Sequence, residues 1–340
     1  VVISYQANKI TPITFTNINT NVLNYKSVGS EPSFMLAETP SITNYSDAGS
    51  YNGYSYFRMR GVDQTRVNMT LDGVPLNEPE DQGAYFSNQP DMLNSLCKIQ
   101  IQRGVGTSKN GSSSYVGSVQ LFSPSLTDSN KTTIGLNYGS FNTVRLFGEY
   151  NSGLLKDKAI YIRASETFSE GYKYNSSNHS QSLFISGGLF NEKSTWKLNF
   201  LVGHQQNELA WLGVSDSMIN VDRRTNANIG EYDNFLQTIT QIQNSWYPNA
   251  NSSIQWSMYN TFLKGDYDFN LNGFLGLPST DEMYNYAFKS NLIGFFTNYN
   301  IDKKNVIEEA LLFLNSSFLS IISFLKVNLL NISEYIKLNS

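Results

Sequence analysis

Two histidines, His179 and His204, are the only side chains of this sequence whose ordinary pKa lies near neutral pH. His179 is followed directly by Ser180, so a base and a hydroxyl nucleophile are adjacent. A hydrolase of the strand–turn–helix type also needs a G-x-S-x-G turn, and the sequence contains none. His204 falls at the end of a predicted strand. We therefore predict no enzyme and no catalytic residues, and keep hydrolysis only as an alternative.

A glycine-rich run, Gly104 to Lys109, has the composition of a phosphate-binding loop. It lacks the spacing G-x-x-x-x-G-K-[ST], so the phosphates of a nucleotide would find no cradle of backbone N–H groups. We interpret this run as the turn that follows a strand.

A third segment, from Asp268 to Gly273, matches the first half of a calcium loop. The twelfth position is Ser279 instead of the glutamate that would bind calcium through both oxygens. A polar loop is the simpler interpretation, and we predict no metal and no cofactor. A calcium site in this loop remains as an alternative, with the candidate ligands Asp266, Asp268, Asp281 and Glu282.

The composition is typical of a membrane β-barrel. Charged residues make up 15% of the 340 residues and aromatic residues 14%, and a barrel needs an apolar outer band with aromatic girdles. The net charge of −4 argues against a nucleic-acid partner, which would require a basic surface. The one cysteine, Cys97, cannot form an internal disulfide, and we expect it to be a small buried apolar side chain in a strand.

Two Arg-Gly pairs organise the first third of the chain. Arg60-Gly61 ends one strand, which runs from Phe57 to Arg60, and Arg103-Gly104 ends another, which begins at Ile99. Between them a strand from Val67 to Leu71 is closed by the turn Asp72-Gly73-Val74-Pro75, in which glycine supplies the positive φ of a tight turn.

The order of these motifs resembles the plug domain of TonB-dependent outer-membrane receptors. The matching positions, in the family's order and spacing, are Arg60, Gly61, Arg66, Val67, Asp72, Gly73, Pro75, Ile99, Ile101, Arg103, Gly104, Gly111 and Gly117. Gln100, Ser118 and Gln120 depart from the family pattern, where Glu, Gly and Asn are usual. The resemblance implies that Arg60 and Arg103 pair with acidic groups on the barrel wall, and Gln100 weakens any claim of an ion pair at its own position. The alternative is that these arginines only satisfy local carbonyl groups.

Around the motifs we predict an α+β plug domain, a small mixed sheet with short helices, over residues 1–126. Strands are expected at Val1 to Ser4 and Ile13 to Ile18. Short helices are expected at Asn19 to Tyr25, Glu31 to Glu38 and Pro90 to Leu96. The resemblance implies that the polar loop from Leu76 to Gln89 points toward the ligand, and a plain surface loop is the alternative. The candidate ligand-facing residues are Asp81, Gln82, Tyr85, Phe86 and Trp211.

From residue 131 to residue 302 the pattern changes to alternating runs of about ten residues, the length of a tilted membrane strand. Eight antiparallel strands are predicted. Alternation places Trp196 and Trp256 toward lipid, and Lys197 and Ser257 toward the lumen. The eight runs are Thr132–Gly139, Thr143–Ser152, Ala159–Phe168, Ser182–Phe190, Thr195–His204, Phe235–Trp246, Ser253–Phe262 and Phe288–Asn300.

Short turns alternate with long loops between these strands, as in outer-membrane barrels. The longest loop, Gln205 to Asn234, contains the segment from Ala210 to Val214, which resembles a loop of Bacteroidota-like receptors. A plugged transporter barrel has roughly 22 strands, so eight form only part of one. We expect this sequence to be a fragment or a truncated product, with its targeting segment and TonB box removed or outside it.

Residues 303–340 do not continue the alternation. Asn305 to Glu308 resembles a capping box, and Ala310 to Leu325 is free of charge with helical spacing, so we expect a helix. The helix is too short to span a membrane. Our hypothesis is that it is out-of-frame or chain-end sequence, and the rival is an amphipathic segment lying on the membrane.

The resemblance implies an importer in the outer membrane of a Gram-negative cell. A scarce ligand such as a siderophore or other ferric chelate, a vitamin or a glycan fragment would bind at the outer loops and the plug. The partners would be the TonB complex, which supplies energy, and outer-membrane lipids. The second class of function is a remnant that only binds or folds partially.

Overall fold

The structure is a computed structural model, and it describes residues 6–8, 13–26, 28–105, 114–278, 282–303, 306–317 and 326–327. The strand expected at Val1 to Ser4 and the turn after Val105 therefore lie outside the described residues. No helix among the described residues has both the length and the apolar character needed to cross a membrane.

The first domain contains most of the predicted elements in the predicted order, together with a strand at Ile42–Ser46 that the sequence did not predict. The sequence-predicted strand Val67–Leu71 is confirmed residue for residue. The segment expected as a helix at Pro90 to Leu96 is only a 3-10 turn, because Asp91 takes a left-handed conformation with φ of 56° and Pro90 donates no N–H. The elements are β1 (Thr14–Asn19), α1 (Thr20–Lys26), α2 (Pro32–Leu36), β2 (Ile42–Ser46), β3 (Ser55–Met59), β4 (Val62–Asp63), β5 (Val67–Leu71), β6 (Val74–Pro75), β7 (Lys98–Arg103) and β8 (Gly117–Phe122), with 3-10 turns at Gln64–Arg66, Phe86–Asn88 and Met92–Ser95.

Two small sheets form this domain, one in the order β1-β7-β8-β5-β6 and one in the order β2-β3-β4. Strand β5 runs parallel to β8, and the other pairs in both sheets are antiparallel. Every residue of β8 is buried, as expected for a strand with parallel pairing that is covered on both faces. Met69, Ile101 and Val119 are fully buried and form part of the centre of the core. Cys97 is only partly buried and precedes β7, so the expectation of a buried strand position is wrong.

The second part of the chain is one antiparallel sheet in which consecutive strands pair. All eight predicted strands are confirmed, and most of them extend further than the sequence indicates, because pairing with a neighbour continues after the alternation fades. The strands are β9 (Lys131–Gly139), β10 (Thr143–Asn151), β11 (Lys158–Ser169), β12 (Asn178–Phe190), β13 (Ser194–Glu208), β14 (Tyr232–Asn249), β15 (Ser252–Asn270) and β16 (Met283–Lys303), with α3 (Asp216–Val221) and α4 (Leu271–Phe274) in two of the loops.

The segment expected as a helix after residue 303 is partly a strand. Strand β17 (Val306–Ser317) pairs with β16 in the register Leu292↔Ser317, and a short β18 (Lys326–Val327) follows. The uncharged run has no hydrophobic period that distinguishes a helix from a strand. The open edge of β16 offers unpaired N–H and C=O groups, and a further strand satisfies them. The remainder of the predicted helix, residues 318–325, lies outside the described residues.

The two faces of the large sheet differ as the alternation predicts. Lys197 and Asn199 contact the first domain, whereas Trp196 and Leu198 point away from it and are about 40% exposed. At the end where short turns connect the strands, the outward face carries a row of large aromatic side chains, namely Tyr150, Trp196, Trp246, Trp256 and Tyr299. Such a row is typical of the membrane–water interface.

Candidate functional site

The hairpin between β5 and β6 places a carboxylate against the large sheet. Asp72 and Gly73 have φ of 47° and 86°, which is the double left-handed turn that Asp-Gly favours. The Asp72 carboxylate accepts hydrogen bonds from Lys197 Nζ at 3.1 Å and Asn199 Nδ2 at 2.9 Å, and from the Ser123 hydroxyl. It also accepts one from the Ser123 N–H. The sequence identified this motif mainly as a turn, and the structure adds that its carboxylate docks the domain on the sheet.

Burial alone would raise the pKa of Asp72, but the ammonium group of Lys197 and the hydrogen bonds from Ser123 lower it further, so the net pKa lies below the ordinary value. The carboxylate is therefore ionised at neutral pH. The same turn offers its backbone to the sheet, because Asp72 O accepts hydrogen bonds from Gln241 Nε2 and Gln243 Nε2 at 3.1 and 3.0 Å. A side chain at position 73 would meet the ring of Phe296 at 3.1 Å, so glycine allows the close approach.

A second buried carboxylate, Asp91, is bound by two arginines of the sheet. Arg145 Nη2 lies 2.9 Å and Arg163 Nη1 3.3 Å from Asp91 Oδ2, and all three side chains are almost completely buried. Arg163 also donates to Ser95 Oγ at 2.6 Å, which ties it to the same 3-10 turn. Removing one partner of such a buried pair leaves an uncompensated charge, at a cost of roughly 3–5 kcal/mol.

Glu31 shares this buried region with the Asp91 cluster. Its side chain is 5% exposed, and burial together with the negative charge of Asp91 raises its pKa well above the ordinary value. Within the part of the chain that the structure describes, Glu31 Oε2 and Asp91 Oδ1 have no hydrogen-bond partner. The region therefore holds two carboxyl groups and two guanidinium groups at the junction of the domain and the sheet.

The ion pairs run opposite to the direction that the resemblance implies. Among the described residues, Arg60 and Arg103 form no salt bridge with the sheet. Arg103 donates to Pro40 O at 3.1 Å, and Arg60 lies near Arg103 O. These contacts fit the local-carbonyl alternative, and the pairing of both arginines with acidic groups on the barrel wall stays a prediction. Arg66 is exposed, with its guanidinium 6.0 Å from the ring centroid of Tyr115.

Sequence reasoning missed Asp91, Arg145 and Arg163. The available signal was position, because both arginines fall on the inward phase of strands β10 and β11. The departure Gln100 has a different role, since its side chain bonds to both the N–H and the carbonyl of Ala7 at 2.7 and 3.0 Å.

The plug loops reach the end of the sheet where long loops connect the strands, which we call the long-loop end. Asn88 O and Pro90 lie directly against Gly203, where an added Cβ would meet Asn88 O at 2.1 Å. Glu78 accepts a hydrogen bond from Gln237 Nε2 at 2.6 Å, and Gln89 bonds to the same Gln237 side chain. Burial raises the pKa of Glu78 to about 7.

Four tyrosines of the first domain cluster at this end, and we call them the tyrosine floor. Tyr54 stacks near Tyr56 with 6.4 Å between ring centroids, and Tyr85 meets both rings edge-on. Tyr45 stacks on Tyr56 at 5.1 Å. The hydroxyl of Tyr85 donates to Asp81. Burial raises the pKa of Asp47, beside Tyr56, to about 6, although the Tyr56 hydroxyl and Lys173 act in the opposite direction.

Beside the floor, the inward face of β14–β16 and two loops carries a continuous network of aromatic rings, which we call the aromatic wall. Tyr267 lies directly opposite Asp233 and Tyr286 in the pairing register, and Phe269 lies opposite Tyr284. Successive ring centroids are 4.6–6.4 Å apart. The rings belong to Trp211, Phe235, Tyr267, Phe269, Phe274, Tyr284, Tyr286 and Phe288.

The predicted ligand-facing residues lie in different environments. Asp81 and Tyr85 lie at the floor, and Gln82 follows in the same loop with φ of 64°. Trp211 belongs to the wall, where its Nε1 donates to Glu231 Oε2 at 2.6 Å. Phe86 is only 1% exposed and lies in the hydrophobic core, so its predicted role is wrong: the 3-10 turn directs its ring inward.

The fold also shows where the two histidines and the candidate calcium ligands lie. His179 and His204 lie on different strands, paired with Glu166 and Asn234 respectively. Asp268 and Asn270 belong to strand β15, so this part of the segment is a strand and not the polar loop that the sequence predicts. Asp266 and Asp268, two candidate ligands of the calcium alternative, both accept hydrogen bonds from Asn285. Within the described ranges, which leave out Asp281, no group of three metal-binding side chains occurs.

The comparisons agree with this architecture. Residues 8–118 match the family model of the TonB-dependent Receptor Plug Domain. No curated protein matches the sequence. Among solved structures, the ferric citrate transporter FecA in its unliganded form matches with a TM-score of 0.71 and 12% identity over 93% of this chain and 51% of that one.

Two further structures are similar to the same extent. The ferric-catecholate import receptor Fiu from E. coli K12 matches with a TM-score of 0.68 and 14% identity, covering 92% of this chain and 52% of Fiu. The siderophore receptor PiuA from Acinetobacter baumannii matches with a TM-score of 0.69 and 12% identity, covering 92% of this chain and 46% of PiuA. The chain spans about half the length of these receptors. The likeness to a Bacteroidota-type loop stays a prediction.

The motifs, the family match and the fold agree: residues 8–118 are a TonB-dependent receptor plug domain, and plug and sheet together have the fold of the corresponding part of a TonB-dependent receptor.

Proposed function

We propose that this chain is part of an outer-membrane importer in a Gram-negative cell. It takes up a scarce ligand (a ferric chelate, a vitamin or a glycan fragment), with the plug as the gate and the TonB complex as the source of energy. The observation that carries the proposal is the plug itself, whose buried carboxylates Asp72 and Asp91 are each held by cations of the sheet. A plug that is docked through a few strong polar contacts can be displaced by force and can then form the same contacts again.

The outward face of the large sheet supports a location in the outer membrane. Its short-turn end carries the aromatic row from Tyr150 to Tyr299, and its strands expose apolar side chains such as Leu136, Leu146 and Met258. An exposed apolar band of this kind needs lipid around it. The partners proposed for the function are therefore outer-membrane lipids, the TonB complex and one small ligand.

The test is growth of a strain that lacks the full-length natural gene. The strain is supplied in separate cultures with a limiting ferric chelate, cobalamin or a defined glycan. We expect growth to fail on one source and to be restored by the wild-type gene only when TonB is present. Restoration without TonB, or unimpaired growth of the deletion strain on all three sources, would contradict the proposal.

A further inference from the structure

Glu231 is a buried carboxylate at the start of β14, where the long loops of the sheet meet, and it is only 1% exposed. Its Oε2 accepts a hydrogen bond from Trp211 Nε1 at 2.6 Å. Its Oε1 accepts two, from Asn228 Nδ2 and from the Asn270 N–H, each at 2.9 Å. Among the described residues Glu231 has no salt-bridge partner. Three N–H donors therefore hold this carboxylate, and each of them is held by it in turn.

The backbone of the same residue makes two further contacts. Glu231 O accepts hydrogen bonds from the Leu209 N–H at 2.9 Å and from Asn175 Nδ2 at 3.1 Å. Together with the side-chain contacts, Glu231 thus joins three segments of the long-loop end. They are the loop between β11 and β12 (residues 170–177), the loop between β13 and β14 (residues 209–231) and the end of β15.

The first two loops also hold each other, and we call residues 170–177 and 209–231 the loop platform. Asn226 is 9% exposed, and its Nδ2 donates to three carbonyl oxygens at 3.0–3.2 Å, those of Tyr174, Asn175 and Leu209. The Tyr174 N–H donates to Arg224 O at 2.9 Å. Because these contacts lie within the chain itself, the platform is assembled without help from a ligand.

Trp211 is the side chain through which the loop platform joins the aromatic wall. Its ring centroid lies 6.1 Å from that of Phe274, which is 62% exposed. Asn228, which Glu231 also holds, lies against Gly273, where an added Cβ would meet Asn228 Nδ2 at 2.4 Å. The hydrogen bonds of Glu231 therefore fix the indole ring and the neighbouring loop segment relative to each other.

We propose, building on the proposed import function, that Glu231 is a positioning residue for ligand capture. It holds Trp211 in place at the long-loop end and joins the loops into a platform that is assembled before the ligand binds. A preorganised surface loses less conformational entropy on binding, so the ligand binds more tightly. Glu231 is buried and acts through Trp211 instead of contacting the ligand itself.

The substitution Glu231→Gln separates this role from a general role in folding, because an amide has one acceptor atom where a carboxylate has two. The amide oxygen can keep the two hydrogen bonds from Asn228 and Asn270, and the NH₂ group then faces Trp211 Nε1, which is also a donor. The opposite orientation of the amide would lose two hydrogen bonds instead of one. The variant should therefore release Trp211 and leave the rest of the loop platform in place.

The first experiment is ¹⁹F NMR of the purified full-length protein labelled with 5-fluorotryptophan. The resonance of Trp211 is identified as the one that Trp211→Phe removes. We expect Glu231→Gln to move this resonance toward the chemical shift of free 5-fluorotryptophan and to leave the other tryptophan resonances in place.

Glu208→Gln is the matched control for this experiment. Glu208 lies at the same end of the sheet and accepts one hydrogen bond, from the Ser177 N–H at 3.2 Å, which an amide oxygen can keep. The Trp211 resonance should not move in this variant. An unchanged Trp211 resonance in Glu231→Gln, or an equal change in both variants, would overturn the proposal.

The second experiment measures capture as the concentration dependence of uptake into cells. The probe is radiolabelled ferric citrate, cobalamin or maltoheptaose, whichever supports TonB-dependent growth. We expect Glu231→Gln to raise the half-saturating concentration about tenfold and to keep the maximal rate, because one hydrogen bond to a charged group is lost. Heat-modified electrophoretic mobility checks that the variant is folded.

Trp211→Phe should raise the half-saturating concentration as well, because it removes the same hydrogen bond. Adding Glu231→Gln to Trp211→Phe should have little further effect, since the two residues act through one contact. Fully additive effects, or an unchanged half-saturating concentration in Glu231→Gln, would refute the positioning role.

The NMR experiment and the growth experiment fail independently. An unmoved Trp211 resonance with intact TonB-dependent growth would remove the positioning role and leave the importer. TonB-independent growth with a moved resonance would remove the importer and leave Glu231 as the residue that positions Trp211 in the loop platform.

Discussion

At the scale of single residues, the carboxylates of the plug fall into two kinds. Asp72 has a cation and hydrogen-bond donors beside it, and its pKa is lowered. Glu78 is also buried, but its partner is the amide group of Gln237, and burial raises its pKa to about 7. The same side-chain chemistry therefore stabilises the docked plug at neutral pH in one place and opposes it in another.

This difference predicts a pH dependence for Glu78. Its pKa is about 7 in the folded plug and roughly 4.3 in an unfolded chain. The folded state thus holds a proton that the unfolded state has released, and the stabilisation present below about pH 4 is lost as the pH rises toward 7. Glu78→Gln removes this loss, so the variant should gain stability relative to wild type on going from pH 5 to pH 8, by on the order of 1–3 kcal/mol.

The measurement is the urea midpoint of plug unfolding, followed by protease cleavage of the plug at pH 5 and pH 8. Glu192→Gln, at an exposed position in the short turn after β12, serves as the control. An equal pH dependence in wild type and Glu78→Gln would show that Glu78 does not titrate in this range.

At the scale of elements, the plug is positioned by close backbone contact as well as by charge. Strand β13 carries Gly203 where the segment Asn88–Pro90 crosses it. Strand β12 carries Gly187, where an added Cβ meets nothing within 4 Å. Two glycines in neighbouring strands of the same sheet therefore have different structural importance.

We predict that Gly203→Ala displaces the Asn88–Pro90 segment, because its methyl group would overlap a backbone carbonyl that cannot rotate away. The expected effect is faster protease cleavage of the plug and a loss of stability of roughly 1–3 kcal/mol, the usual cost of overpacking. Gly187→Ala should leave both unchanged. Similar behaviour of the two variants would mean that the plug does not rest on β13 at this point.

The elements of the plug also differ in how far the local sequence determines their conformation. Strand β5 and the turn at Asp72-Gly73 are encoded locally, since alternation and the positive φ of glycine determine both. The turn at Asp91 is not encoded locally. Its left-handed conformation places the carboxylate beside Arg145 and Arg163, which belong to distant strands.

At the scale of the whole molecule, the proposed function gives the sheet a direction in the membrane. The long-loop end carries the tyrosine floor and the aromatic wall and should face the outside of the cell, and the short-turn end should face the periplasm. Ile229, in the loop after β13, is 74% exposed. Lys193 lies in the short turn between β12 and β13 and is also exposed.

Single-cysteine labelling tests this direction. In a Cys97→Ser background, Ile229→Cys should react with a membrane-impermeant maleimide on intact cells. Lys193→Cys should react only after the outer membrane is permeabilised. The Cys97→Ser parent is the control for background labelling, and the reverse pattern would invert the proposed orientation.

The sequence by itself determined the eight strands of the large sheet and the phase that turns Lys197 inward and Trp196 outward, because a period of two and the turn residues are local properties. It also determined the plug motif, which the family match bears out. Tertiary structure decided which charges meet: Arg60 and Arg103 stay within the plug, whereas Asp72 and Asp91 dock on cations of distant strands. It decided as well that rings from three strands and two loops assemble into one aromatic wall. Those contacts depend on pairing register and domain placement, and neither is encoded in the neighbours of any one residue.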